Sequence, residues 1–281
     1  VPSSFPSSVP SSVPSSVPSS FPSSVPLSQY DILSILYTST NGAEWDKSDT
    51  WMKEDSDNAP CDWYGLTCDE NEVTALDLYD NDLAGPIPSE LGLLTMMTDN
   101  LYLYDNDLTG AIPSELGQLT MMSSYFYLGY NSLTGSIPSE LGQLTMMSSY
   151  FYLEGNSLAG PIPSELGLLT MMTEDLYLYD NDLTGAIPSE LGQLTMMACC
   201  LELDGNSLAG PIPSELGLLT MMTEDLYLND NDLTGAIPSE LGQLTSFTGT
   251  IYLHSNDLCP NIPEDINVTI DITDNNGACT S

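Results

Sequence analysis

The sequence predicts an α/β solenoid: a right-handed superhelix of about eight 25-residue repeats with a helical N-terminal cap, preceded by a polyproline-II-like extended tail. Three observations predict it. One asparagine recurs at a spacing of 25 residues, as Asn81, Asn106, Asn131, Asn156, Asn181, Asn206, Asn231 and Asn256. Around it the units share a pattern of paired leucines, glycine and Ile-Pro-Ser-Glu-Leu-Gly, as in Leu101, Leu103, Asn106, Leu108, Gly110, Ile112, Pro113, Leu116 and Gly117. Ahead of these units lies a shorter repeat with proline at every fourth residue. On this reading the chain divides into a tail at 1–27, an N-terminal cap at 28–72, the solenoid at 73–258 and a C-terminal cap at 259–281.

The tail comes first. Residues 1–24 are Val/Phe-Pro-Ser-Ser tetrapeptides. Proline at this spacing blocks helix and sheet pairing and biases its neighbours to extended conformations, so the tail reads as a rod. At ~3.1 Å per residue it would reach about 80 Å. A linker needs only composition, whereas this register is strict. It therefore marks Pro2, Pro6, Pro10, Pro14, Pro18 and Pro22 for hydroxylation, and Ser3, Ser4, Ser7, Ser8, Ser11, Ser12, Ser15, Ser16, Ser19, Ser20, Ser23 and Ser24 for O-linked sugar. Because the chain begins at Val1, on a repeat boundary and without Met, a processed or truncated product with a longer tail is expected.

Next, Ser28 with Asp31 makes a capping box before the apolar run Ile32, Leu33, Ile35 and Leu36, which predicts one short helix. Trp45, Trp51 and Trp63 supply bulk over the first repeat, and Cys61 and Cys68 are close enough to close a small disulfide loop. At the other end, Cys259 replaces a Thr or Ala of the repeat and finds its natural partner in Cys279. Cysteines near both ends of an otherwise Cys-poor chain point to an oxidising compartment. Cys199 and Cys200 stand apart. They are read as a vicinal bridge, as two quiet thiols, or as a covalent link to another chain.

Within each unit the paired leucines belong to a strand that points them inward, and the asparagine turns the chain while its amide satisfies backbone groups in the bend. No unit buries its leucines alone, so stacking is obligatory and both ends need lids. This is the pattern of leucine-rich repeats. Met-Met pairs such as Met96–Met97 and Met121–Met122 recur at one place in the unit and are expected to fill the core.

Strand positions between the leucines should form the concave face. They give a ladder of Tyr102, Tyr127, Tyr152, Tyr177, Tyr227 and Tyr252, joined by Tyr104 and Tyr179 just after the second leucine. Aromatic faces flanked by carboxylates suit sugar rings or an extended peptide, and they equally stabilise a sheet by cross-strand contact. Asp80, Asp82, Asp105 and Asp107 are a weak calcium candidate, because no calcium-loop spacing accompanies them. His254 has no nucleophile or base to work with, so no cofactor and no catalytic role are expected, and the chain is not read as an enzyme.

The composition narrows the partners. With 40 acidic residues against two lysines and no arginine the formal charge is −38, which excludes nucleic acid. No apolar run approaches the ~20 residues of a membrane helix. The sequon at Asn267 agrees with the cysteines in pointing outside the cell.

The repeats resemble plant-type extracellular leucine-rich-repeat proteins, on the signature seen at Leu133-Thr134-Gly135-Ser136-Ile137-Pro138 and on the cap stretches Asn41–Trp45 and Cys61–Cys68. Joined to a Pro/Ser rod, the chain is reminiscent of leucine-rich-repeat extensins, although there the Pro-rich part follows the repeats. The class hosts receptors, inhibitors, ice binders and wall proteins, so it implies fold more than function. Near-identity of the units favours a secreted structural glycoprotein of fibres or cell-wall matrix, self-associating through its tail. The alternative is a recognition module that binds glycans or a peptide on the tyrosine ladder.

Overall fold

In the computed structural model, residues 26–52, 60–275 and 277–279 are described. The tetrapeptides, with their hydroxylation and O-glycosylation positions, lie outside the described residues. Ser28 accepts a hydrogen bond from the Asp31 amide, while the Asp31 carboxylate accepts from the Ser28 amide at 2.9 Å. That reciprocal pair opens the helix Gln29–Ser39, which buries Ile32, Leu33 and Leu36. The chain leaves the helix through Asn41, whose φ of 59° lies in the left-handed region. Tyr37, Trp45, Trp51 and Trp63 pack in a chain of ring contacts beneath it, with Trp45 against Trp51 at 4.8 Å and Trp51 against Trp63 at 4.8 Å. A disulfide joins Cys61 to Cys68 in this region.

Among the described residues the strands form a ten-stranded and an eight-stranded sheet. The ten-stranded sheet opens with one antiparallel pair, Leu66–Asp69 with Glu72–Asp77, whose turn residues Glu70 and Asn71 both have positive φ. From there every pairing is parallel and, up to the last, one unit apart, as in Leu101↔Phe126 and Leu176↔Leu201; the closing pair, Thr250↔Thr269, is shorter. The alternate residues Leu101, Leu103, Phe126, Leu128, Phe151 and Leu153 are fully buried, which is the inward leucine face predicted from the period.

The eight-stranded sheet is an addition to the sequence reading, which assigned each unit a single strand. It runs from Ala84–Pro86 to Asp257–Leu258, and it forms because the residues after the asparagine extend and pair with the next unit, as Thr109 does with Ser132. The Pro-Ser-Glu-Leu-Gly stretch that follows is a 3-10 turn, for example Ser114–Gln118. Glycine is required there: a Cβ on Gly117 would stand 2.3 Å from the Glu140 carbonyl oxygen of the next unit.

Asparagine holds the units together. Asn181 donates through Nδ2 to the carbonyls of Leu153, Leu178 and Tyr179 at 3.1 to 3.2 Å, and its Oδ1 accepts from the Leu158 amide at 3.0 Å. One side chain thus satisfies four backbone groups in two units. Asn275 reproduces the pattern at the C-terminal end, donating to Leu253 and accepting from Leu258, next to the disulfide Cys259–Cys279. Asn267 of the sequon is exposed.

The methionine expectation holds for only half of the pairs' sulfurs. Met97, Met122, Met147, Met172, Met197 and Met222 are fully buried, whereas their neighbours Met96, Met121, Met146, Met171, Met196 and Met221 are exposed. Adjacent residues at this turn point to opposite sides, so only the second can reach the core.

Candidate functional site

The tyrosines predicted between the leucines stand in one column. Tyr127 stacks on Tyr152 at 4.3 Å with 4° between ring planes, and Tyr152 on Tyr177 at 4.3 Å and 8°. Tyr102 meets Tyr127 at 4.8 Å but tilted by 43°. Glu202 interrupts the column, which resumes as Tyr227 on Tyr252 at 4.7 Å and 7°. A parallel strand ladder spaces successive rungs at roughly 4.8 Å, close to ring-stacking distance, so identical residues one unit apart are driven face to face. The inner rings therefore spend their faces on one another and leave their edges and hydroxyls for other contacts. Burial first, then neighbouring tyrosines and Asp77, push the Tyr102 phenol up to about 12. These hydroxyls consequently remain proton donors at neutral pH.

Two consecutive rungs within the tyrosine-bearing stretch depart from its pattern. Where other units carry Tyr104-Asp105 or Tyr179-Asp180, this stretch has Gly129-Tyr130 and then Glu154-Gly155. The missing side chain at Gly129 makes room for the Glu154 carboxyl group, which occupies the space a Cβ there would need. Tyr130, with φ of 48°, leans across Gly155, and its hydroxyl meets that of Tyr179 at 2.9 Å, two units away. The result is a cavity of about 260 Å³ lined by Tyr104, Tyr127, Tyr130, Tyr152, Tyr177, Tyr179 and Glu154. Glu154 is 2% exposed, and its buried Oε2 has no hydrogen-bond partner. Burial pushes its carboxyl up to about 7. A smaller hollow of about 220 Å³ adjoins it, lined by Tyr79, Tyr102, Tyr104 and Tyr127.

The structure thus brings Tyr104, Tyr127, Tyr152, Tyr177 and Tyr179 of the predicted ladder to one cavity and leaves Tyr227 and Tyr252 beyond the Glu202 break. Sequence reasoning missed Glu154, Tyr130 and Gly129 as site residues. The signal available was the departure of two consecutive rungs from the unit pattern.

The remaining candidates fall elsewhere. Asp80, Asp82 and Asp105 occupy left-handed bends, and all four aspartates of the calcium candidate are exposed. Among the described residues, the group of three metal-ligating side chains brought within 4.8 Å of one another is instead Asp175, Cys199 and Cys200. The vicinal bridge is absent: the Cys199 and Cys200 sulfurs are 3.6 Å apart, and both thiols are free. His254 lies between Asp230, at 3.7 Å, and Asp271, at 3.4 Å.

A family model described as Leucine Rich Repeat matches residues 124–144, 173–194 and 223–244. No curated protein matches the chain. Among solved structures, the ectodomain of the plant membrane receptor kinase GASSHO1/SCHENGEN3 from Arabidopsis thaliana, in complex with CASPARIAN STRIP INTEGRITY FACTOR 2, is similar with a TM-score of 0.77 and 34% identity. That match covers 88% of this chain and 30% of the receptor structure, so the chain spans less than a third of that ectodomain. The Arabidopsis receptor kinase HAESA, in complex with the peptide hormone IDA and the co-receptor SERK1, aligns with a TM-score of 0.51 at 27% identity, covering 85% of this chain and 47% of that one. The BIR2 ectodomain from Arabidopsis thaliana is 30% identical with a TM-score of 0.52, over 58% of this chain and 85% of that one.

Proposed function

The chain belongs to the leucine-rich-repeat proteins, and from that membership we infer that the tyrosine face is an extracellular recognition surface for an extended peptide carrying a cationic side chain. One observation carries the ligand class: Glu154 is a buried carboxylate with an unpartnered oxygen, set among six tyrosines. An aromatic enclosure around a carboxylate favours an ammonium or guanidinium group, which gains ring attraction and a charge-assisted hydrogen bond together. A protein of charge −38 also draws cations towards it. Similar ectodomains are solved with peptide ligands, which supports the peptide and the extracellular setting, as do the two disulfides. No helix among the described residues is long and apolar enough to cross a membrane.

These comparisons reverse the order of the two sequence readings. A structural wall glycoprotein that joins through its tail rests on residues 1–27, nearly all outside the described residues, and the similar ectodomains lend it nothing. Sugar stacking along the ladder is the weaker form of recognition, because the inner ring faces already cover one another.

The test is titration of the full chain with two families of extended peptides that differ only by Lys or Arg in place of Gln. Added salt of ~0.5 M screens the long-range attraction. Cationic peptides should bind preferentially, and Glu154→Gln should weaken them by about 10- to 100-fold while leaving neutral peptides unchanged. Equal binding of the two families by the unaltered chain would refute the reading.

A further inference from the structure

Cys199 and Cys200 occupy a slot where the other units carry Asp99-Asn100, Ser124-Tyr125, Ser149-Tyr150, Glu174-Asp175, Glu224-Asp225 and Gly249-Thr250. The four other cysteines of the chain are consumed in disulfides, while these two keep free thiols. We propose that Asp175, Cys199 and Cys200 hold one thiophilic divalent cation of the zinc class.

The geometry argues for it in three steps. Two zinc–sulfur bonds of about 2.3 Å meeting at the tetrahedral angle place their sulfurs about 3.8 Å apart. The observed separation is 3.6 Å, within reach of that bite without moving the backbone, and well beyond the ~2.05 Å of a disulfide. One unit back, Asp175 is 6% exposed and brings a carboxylate oxygen within 4.8 Å of both sulfurs. That carboxylate is aimed from behind: Oδ2 accepts from the Tyr152 hydroxyl at 2.8 Å, and Oδ1 accepts from the Cys200 amide at 3.2 Å. Outer hydrogen bonds of this kind orient the ligands of protein metal sites.

Asp225 supplies the internal comparison. It accepts from the next unit's amide in the same way, from Thr250, and takes its tyrosine from its own strand, the Tyr227 hydroxyl at 3.0 Å, but it faces Gly249 and Thr250 in place of thiols. An aspartate that holds the next unit's amide and a tyrosine hydroxyl is therefore common to the two units, and the sulfur pair is what makes one of them a site. Two sulfurs with one oxygen select zinc-class ions over calcium or magnesium. Three protein ligands leave the fourth position of a tetrahedral ion to water. Each thiol gives up its proton to solvent as its metal–sulfur bond forms, so uptake of one ion releases two protons.

The test uses the full chain, purified under a phosphine reductant and titrated with cobalt(II), then with zinc(II). Expected are one cobalt per chain, a sulfur-to-metal charge-transfer band in the near ultraviolet, displacement of that band by zinc, and a raised melting temperature with either ion. Cys199→Ser places in the slot a residue that Ser124 and Ser149 already show to be accommodated, so the variant should fold and lose the band. Asp175→Asn should keep sulfur ligation and bind at least tenfold more weakly. Absence of a stoichiometric band, a band unchanged in the folded Cys199→Ser chain, or native material in which the two thiols are bonded to each other overturns the proposal.

Discussion

The turn-bearing side of the solenoid and the tyrosine-bearing side of its ten-stranded sheet are built from the same units, yet one is nearly invariant and the other is not. On the first, Ser114–Gln118, Ser139–Gln143 and Ser189–Gln193 repeat residue for residue, down to the same 3.3 Å contact between serine and its glutamate neighbour. On the second, the position after the inner leucine is tyrosine, glycine, glutamate, aspartate, asparagine or histidine in turn. What packs against the next unit is held constant, and what faces outward on the sheet is free to differ. Near-identity of units is therefore a property of the lattice, and it does not argue against a site where the lattice pattern breaks.

The comparison is broken most severely by striking the lattice. Asn181→Ala leaves the Leu158 amide without its partner and removes one of two donors from each of the Leu153, Leu178 and Tyr179 carbonyls, and should lower stability by about 3 kcal/mol in urea unfolding, with peptide affinity unchanged in the folded fraction. A comparable effect, confined to high pH, comes from the broken rungs. Because burial raises the Glu154 carboxyl from 4.5 to about 7, the folded chain holds a proton that the unfolded chain releases across that interval. Its contribution is thus fully present below pH 4.5, declines as pH rises, and is lost above 7, the penalty then being constant. Relative to Glu154→Gln, the unaltered chain should be about 3 kcal/mol less stable at pH 8 and nearly equal at pH 4. Affinity for a cationic peptide should run the other way, rising through pH 7 as the carboxylate forms. If stability and affinity changed with pH in the same direction, Glu154 would not be the group responsible.

Below these in size, Tyr130→Phe removes the hydroxyl contact with Tyr179 and should cost about 1 kcal/mol or less, while loosening the cavity enough to weaken peptide binding measurably. The smallest change belongs to the exposed methionines. Met146→Ser should alter the unfolding midpoint by no more than about 0.5 kcal/mol, whereas Met147, in the adjacent position, is fully buried and its truncation to Ala should cost about 2 to 4 kcal/mol.

The solenoid was legible because its determinants are periodic: Asn181 and Leu183 mean what Asn106 and Leu108 mean, and repetition removes ambiguity. The tyrosine column was legible for the same reason. The second sheet was hidden because Leu108-Thr109-Gly110 is too short to show a strand period. Glu154 was hidden more deeply. In the sequence it is one of 40 acidic residues, and its burial arises only because Gly129, a full unit earlier, leaves a gap beside it. The Cys199–Cys200 pair stood out in the sequence, but its third member, Asp175, belongs to the preceding unit and becomes a neighbour only through the parallel register.

The split of the methionines gives the molecule an oxidation limit. Seven thioethers, Met52 and the first of each pair, are open to solvent, while the six second members are sealed in the core. Peroxide should add oxygen to the first set rapidly and then stop, leaving a plateau in methionine sulfoxide, counted apart from the Cys199 and Cys200 thiols, that persists as long as the fold does. Any uptake beyond that plateau would report opening of the solenoid, so the chain carries its own chemical indicator of unfolding along its whole length.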